Sequence, residues 1–210
     1  MPEFSSLIAF GFIALGMVIT PGPNMIYLIS RSISQGRTAG LISLGGVALG
    51  FLFYMPCAAL GITALLFAVP YAYDALRFSG AVYLLYLAWQ TVKPGGRSPF
   101  HVKSLPKDSR RKLFMMGLVT NLLNPKVAVM YLSFLPQFIS PDHGSVLTQS
   151  LILGFTQIAI SISVNTVIVT MAGSIAVFLA GRPLWLVIQR WLMGTVLAAL
   201  AVRMATEARR

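Results

Sequence analysis

Prolines, asparagines and one lysine stand in the middle of apolar runs that otherwise read as lipid-facing helix. The run Thr120-Asn121-Leu122-Leu123-Asn124-Pro125-Lys126 lies inside an apolar segment bounded by Arg110-Arg111-Lys112 and Ser140-Pro141-Asp142. An ionisable group at mid-bilayer costs at least ~3 kcal/mol, so by default it marks a functional site. Pro125 donates no backbone hydrogen bond and turns Asn124 away from helical geometry, which predicts a kink or break there. Thr20-Pro21-Gly22-Pro23-Asn24 interrupts the first apolar run in a similar way. Backbone freed at membrane depth is tolerated only against protein or a water-filled cavity. The two interruptions are therefore expected to face one another, with the rest of the chain as their scaffold.

Six apolar stretches, at 4–29, 39–68, 75–93, 113–139, 146–180 and 184–205, are each long enough to cross a bilayer. A crossing takes about 20 helical residues. This predicts an all-α integral membrane protein of six transmembrane helices, with helices 1 and 4 broken at their proline motifs. Only 10% of the 210 residues are charged and the mean hydropathy is +0.80. Soluble domains carry about 25% charged residues, too many more for this chain to be one. The fifth stretch exceeds one crossing, so it is expected to tilt strongly or to break near Gly173. Pro56 is expected to kink the outer half of the second.

The net charge of +11 does not imply a nucleic-acid partner, because the cations sit between the apolar runs. With the N-terminus outside, Arg31, Arg37, the seven cations from Lys93 to Lys112, Arg182 and Arg190 all fall on the inner side, eleven of the sixteen Lys and Arg. Arg77, Arg203, Arg209 and Arg210 fall outside. Cation excess belongs on the cytoplasmic side, which places both termini outside the cytoplasm. The leading Met1-Pro2-Glu3 has no Lys or Arg, so the first run does not read as a cleaved signal peptide. Cys57 is the one cysteine, and no intrachain disulfide can form.

Residues 31–37 read as a short cytoplasmic turn. The Gly46–Gly50 spacing reads as close helix packing. Asp74 and Arg77 read as a loop after Val69-Pro70-Tyr71. Trp89 reads as an interfacial aromatic. Residues 93–112 form a basic, poorly ordered cytoplasmic linker with one acid, Asp108, and its cations could also meet anionic lipid headgroups.

The linker separates a first three-helix repeat (1–92) from a second (113–210). The two proline interruptions fall at matching places, and the glycine-led stretch from Gly80 has a counterpart from Gly194. Three helices is an odd number, so the halves run in opposite senses through the membrane. Inverted repeats with matched breaks imply a midplane site and alternating access.

Lys126 is the one charged residue deep in any run, and the five acids (Glu3, Asp74, Asp108, Asp142, Glu207) all lie at ends or in connections. A cationic Lys126 lacks a fixed counter-ion. Three arrangements resolve this: a neutral amine, a water-filled cavity, or a mobile anion such as a substrate carboxylate. Gln157 and Asn165 have more to lose in lipid than Ser161 or Ser163 and are expected to face the interior. His101 and His143 lie in connections and Cys57 stands alone, so no clustered acid–base or metal-ligating set exists, and neither enzyme chemistry nor a cofactor or metal is expected. Broken helix ends instead suit a zwitterion: half-helix N-termini attract a carboxylate, and free carbonyls or Asn side chains attract an ammonium.

Thr-Pro-Gly-Pro-Asn at 20–24, Asn-Leu-Leu-Asn-Pro-Lys at 121–126 and Gly-Ala-Val-Tyr-Leu-Leu-Tyr-Leu-Ala from 80 resemble the LysE/RhtB family of bacterial amino-acid exporters over essentially the whole chain. The resemblance implies inner-membrane efflux of amino acids or derivatives, commonly driven by the proton gradient. The Thr-Pro-Gly-Pro-Asn form is similar to the homoserine/threonine/leucine branch, which implies a neutral substrate. Pro21, Gly22, Pro23, Asn24, Asn124, Pro125 and Lys126 match the family's motif. With Thr20, Asn121, Gln157 and Asn165 they form the expected substrate-binding set, and Lys126 is the candidate for proton coupling. A passive channel, or an exporter of another small metabolite, fits the same scaffold. The glycine faces are compatible with a homodimer.

Overall fold

A computed structural model describes residues 2–68, 72–93, 107–180 and 183–206. Among these residues it is all-helical, with eight α-helices and no strand. The first two helices are α1 (Phe4–Ile19) and α2 (Pro23–Gln35), bent 52° from each other. Next come α3 (Arg37–Ala68) and α4 (Ala72–Val92). The fifth and sixth are α5 (Arg110–Leu122) and the short α6 (Pro125–Val129). A π-turn (Met130–Phe134) and a 3-10 turn (Leu135–Phe138) extend α6, and the whole is bent 47° from α5. Finally α7 spans Val146–Ala180 and α8 Pro183–Thr206.

Both expected breaks are present, and the local chemistry explains them. Thr20 ends α1 in an extended conformation, with its hydroxyl donating to the Gly16 carbonyl at 2.6 Å. Pro21 cannot continue the ladder, Gly22 is extended, and Pro23 occupies the first turn of α2, where a missing N–H costs nothing. At the second break Asn124 is extended, as a residue before proline prefers, and its side chain caps α6 by accepting from the Lys126 N–H at 3.0 Å.

Two helices, Arg37–Gly61 of α3 and Val146–Phe178 of α7, are long and apolar enough to cross a membrane. Each bent pair also qualifies when taken as one span, giving up to four by length and composition, against the six expected from the apolar runs.

Several boundaries differ from expectation. Residues 31–35 are not a turn: α2 continues to Gln35, and the chain reverses at Gly36, whose φ of +91° favours glycine. Asp74 and Arg77 fall within α4 rather than in a loop. α7 runs unbroken through Gly173. α3 stays helical through Pro56, the residue expected to kink it. Residues 94–106 of the expected linker, the 69–71 connection, Arg182 and the terminal Glu207, Arg209 and Arg210 lie outside the described residues. The linker's end is ordered: Ser109 caps α5 by accepting from the Lys112 N–H, and Asp108 is tied to α2.

The glycine pair Gly46–Gly50 does pack a backbone closely. A Cβ on Gly46 would lie 1.9 Å from the Phe114 carbonyl oxygen, and one on Gly117 would lie 2.1 Å from that of Ser43. α3 and α5 therefore touch backbone to backbone. α4 packs on α8, where Gly194 accepts Val92, and α3 packs on α7, where Gly154 accepts Met55. The main core gathers Phe10, Leu28, Leu84, Tyr131, Phe134, Leu153 and Leu197, all buried. The outer surface is strongly apolar, with Phe12, Phe53, Trp89, Phe155 and Trp191 exposed, as a lipid-facing surface requires.

Candidate functional site

The two breaks meet. The Lys126 ammonium, carried on the first turn of α6, donates to the Thr20 carbonyl that the end of α1 leaves free. Gly22 makes this approach possible, because a Cβ there would lie 3.0 Å from Lys126 Cδ and 3.5 Å from Nζ. Lys126 is 8% exposed, so its long side chain stays inside rather than reaching for an interface.

Beside the ammonium lies a cavity whose empty space, counting its mouth, is about 460 Å³. Its polar wall is formed by Thr20, Asn24, Asn124 and Lys126 from the breaks and by Gln157, Ser161 and Asn165 from α7. The apolar wall includes Met17, Phe51, Val127 and Met130. Two side-chain oxygens, Asn24 Oδ1 and Asn165 Oδ1, are buried and accept no hydrogen bond. A buried acceptor without a donor costs roughly 1–3 kcal/mol, so both are poised to take one.

A ladder of hydrogen bonds orders the α7 side. Tyr131 donates to Gln157 Oε1 at 2.7 Å, Gln157 Nε2 donates to Ser161 Oγ at 2.7 Å, and Asn165 Nδ2 donates to the Ser161 carbonyl at 2.8 Å. Gln157, Ser161 and Asn165 are four residues apart and so share one helix face.

Of the residues expected from sequence, Thr20, Gly22, Asn24, Asn124, Lys126, Gln157 and Asn165 line this cavity. Pro21, Pro23 and Pro125 do not; they shape the breaks that carry the others. Asn121 does not line it either. It is fully buried on α5 against Gly50, where a Cβ would lie 2.6 Å from its Oδ1, and neither its amide nitrogen nor its oxygen has a partner. Sequence reasoning passed over Ser161, although its four-residue spacing from Gln157 and Asn165 was there to read. The π-turn that aims Tyr131 at Gln157 has no sequence signature. Among the described residues no group of three or more His, Cys, Asp or Glu could hold a metal ion.

A family model described as "LysE type translocator" matches residues 15–208. Homoserine/homoserine lactone efflux proteins of Salmonella typhimurium and Salmonella typhi are each 31% identical over 163 residues, covering 78% of this chain and 78% of each relative. The uncharacterized membrane protein YrhP of Bacillus subtilis is 30% identical over 158 residues, 70% of this chain and 74% of that one. No solved structure matches the chain.

Proposed function

The chain belongs to the LysE family of translocators, and from that premise we propose that it exports small neutral amino acids or their derivatives across the bacterial inner membrane, coupled to protons. It is a multi-pass membrane transporter and not an enzyme. The observation that carries the substrate reading is the pairing, in one cavity, of the Lys126 ammonium with the unpartnered oxygens of Asn24 and Asn165. A zwitterion is the complement of that arrangement: its carboxylate meets Lys126, and its ammonium donates to the two Asn oxygens. α2 also starts at the cavity with no side chain capping it, so its dipole favours the carboxylate. The efflux activity in the relatives' names agrees with this reading.

For the membrane arrangement we propose six crossings, with α1–α2 and α5–α6 each counted as one and α4 and α8 completing the set. Residues 1–92 and 113–210 are then inverted repeats, with both termini outside the cytoplasm. The packing of α3 on α7 and of α4 on α8, each on its counterpart, supports this. In alternating access Lys126 releases its proton in one access state and regains it in the other, since among the described residues no Asp or Glu lines the cavity beside it.

The test is efflux from proteoliposomes loaded with a panel of amino acids, homoserine included, with and without a pH gradient. Gradient-dependent export of neutral amino acids is expected. Export that ignores the gradient would indicate a passive channel, and no export of any amino acid would overturn the substrate reading.

A further inference from the structure

A second polar cluster lies outside the cavity, at the far end of α2. Asp108 accepts from Arg31 Nη1 at 2.6 Å, from Gln35 Nε2 at 2.9 Å and from Lys112 Nζ at 2.6 Å, while its own N–H donates to Gln35 Oε1 at 2.8 Å. Its side chain is only 7% exposed. Arg31 and Gln35 lie 8 and 12 residues past Pro23, or about 12 and 18 Å along the helix at 1.5 Å per residue. Asp108 precedes the second break by a comparable length of α5. The cluster therefore lies near the face where α2 ends, with the cavity behind it. One layer deeper, Tyr27 donates to the Leu113 carbonyl at 2.8 Å and accepts from Ser43 at 3.1 Å.

Part of α2 is anchored in the main core, through Tyr27 and Leu28, and part is not. Glycine flanks it at both ends: Gly22 at the bend and Gly36 at the reversal. It packs between α5 and α7 and against α3. Much of its contact with α7 is a satellite cluster separate from the main core, Met25, Ile29 and Ala172 with Ile33 and Ile168 beside them. Small clusters apart from the main core open at lower cost than the core itself.

We infer that Asp108 is a positioning residue for transport: it latches the C-terminal half of α2 onto α5 and so seals the cavity from the membrane face at which α2 ends. The latch has to part for solute to enter or leave on that side. The inference rests on the cavity being the transport route, but not on which solute it carries.

Accessibility of a cavity residue tests it. In full-length protein with Cys57→Ser, Ser161→Cys serves as a reporter in the cavity wall. A charged, membrane-impermeant methanethiosulfonate is applied to right-side-out and to inside-out vesicles. Thr38→Cys, exposed beside the end of α2, identifies the face concerned. Asp108→Asn is expected to raise the reporter's labelling rate from that face at least tenfold and to leave the other face unchanged. Exchanging the pair, Arg31→Asp with Asp108→Arg, is expected to bring the rate back toward the parent. An unchanged rate, an equal rise from both faces, or an exchanged pair that labels as fast as Asp108→Asn overturns the inference. Should Asp108→Asn fail to fold, Gln35→Ala removes two of the latch's bonds and carries the same expectation. Because labelling needs no transported solute, failure to export amino acids would refute the substrate reading alone.

Discussion

Replacing Lys126 by Met separates the amine from the space it fills. Met is unbranched, of similar reach and adaptable in irregular gaps, and Lys126 already lies along Gly22 with its Cδ in contact range. Two effects on stability oppose each other. The Thr20 carbonyl loses its donor, which costs roughly 1–3 kcal/mol. In return a buried amine is no longer held away from water. The folded amount should therefore stay close to that of the parent. Binding has no such offset: a hydrogen bond to a charged group contributes about 1.5–3 kcal/mol. At 1.4 kcal/mol per tenfold, the half-saturating concentration should rise about 10- to 140-fold. Proteoliposome efflux over a range of internal substrate concentrations measures this, with detergent-solubilised melting as the control for folding. Dependence on the pH gradient should vanish along with the amine. A Met variant that exports with a half-saturating concentration within threefold of the parent, still driven by the gradient, would refute the role given to Lys126.

Gly22 should show a graded response. Its backbone is extended, so strain is not at issue, and Gly22→Ala asks Lys126 Cδ to yield only from 3.0 Å; efflux should fall by no more than about threefold, whereas Gly22→Val should displace the ammonium from Thr20 and approach the Lys126→Met phenotype. Gly46→Ala would need α5 to recede by about 1.5 Å to turn a 1.9 Å approach into a 3.4 Å contact. It should lower the melting temperature markedly, while Gly61→Ala, which meets nothing within 4 Å, should be neutral or slightly stabilising. Lys112, then Gln35, hold the Asp108 carboxyl below the usual carboxylate range. A depressed carboxylate contributes stability above its unfolded value, near pH 4, and loses it as pH falls through the lower folded value. The difference in melting temperature between the parent and Asp108→Asn should therefore stay constant from pH 5 to 8 and shrink below about pH 4.

Composition and proline placement were enough to read the broad architecture. Apolar runs with so few charges have to be membrane helices, and proline lacks the donor that a helix interior needs, so both breaks were legible at Thr20–Asn24 and at Asn124–Pro125. Boundaries were less legible. Arg31 and Gln35 look like the end of a crossing, yet both are helical and both bond Asp108, 77 residues from Arg31. Long-range pairing of that kind leaves no periodic trace. Asn121 shows the reverse error: a polar residue beside the motif looked like a ligand-binding group, but helical phase points it at Gly50 instead of the cavity.

By itself the sequence determined that the chain is a helical membrane protein interrupted at two proline motifs, with Lys126 inside an apolar run, because these follow from local chemistry that no packing can alter. Only the tertiary structure decided that the Lys126 ammonium meets the Thr20 carbonyl, that α7 presents Gln157, Ser161 and Asn165 to the same space, and that Asp108 ties α2 to α5. Those are facts about distance between segments far apart in the chain. They depend on helix phase and on the close approach of α3 and α5 through Gly46 and Gly117, where two backbones occupy the space that side chains would have filled.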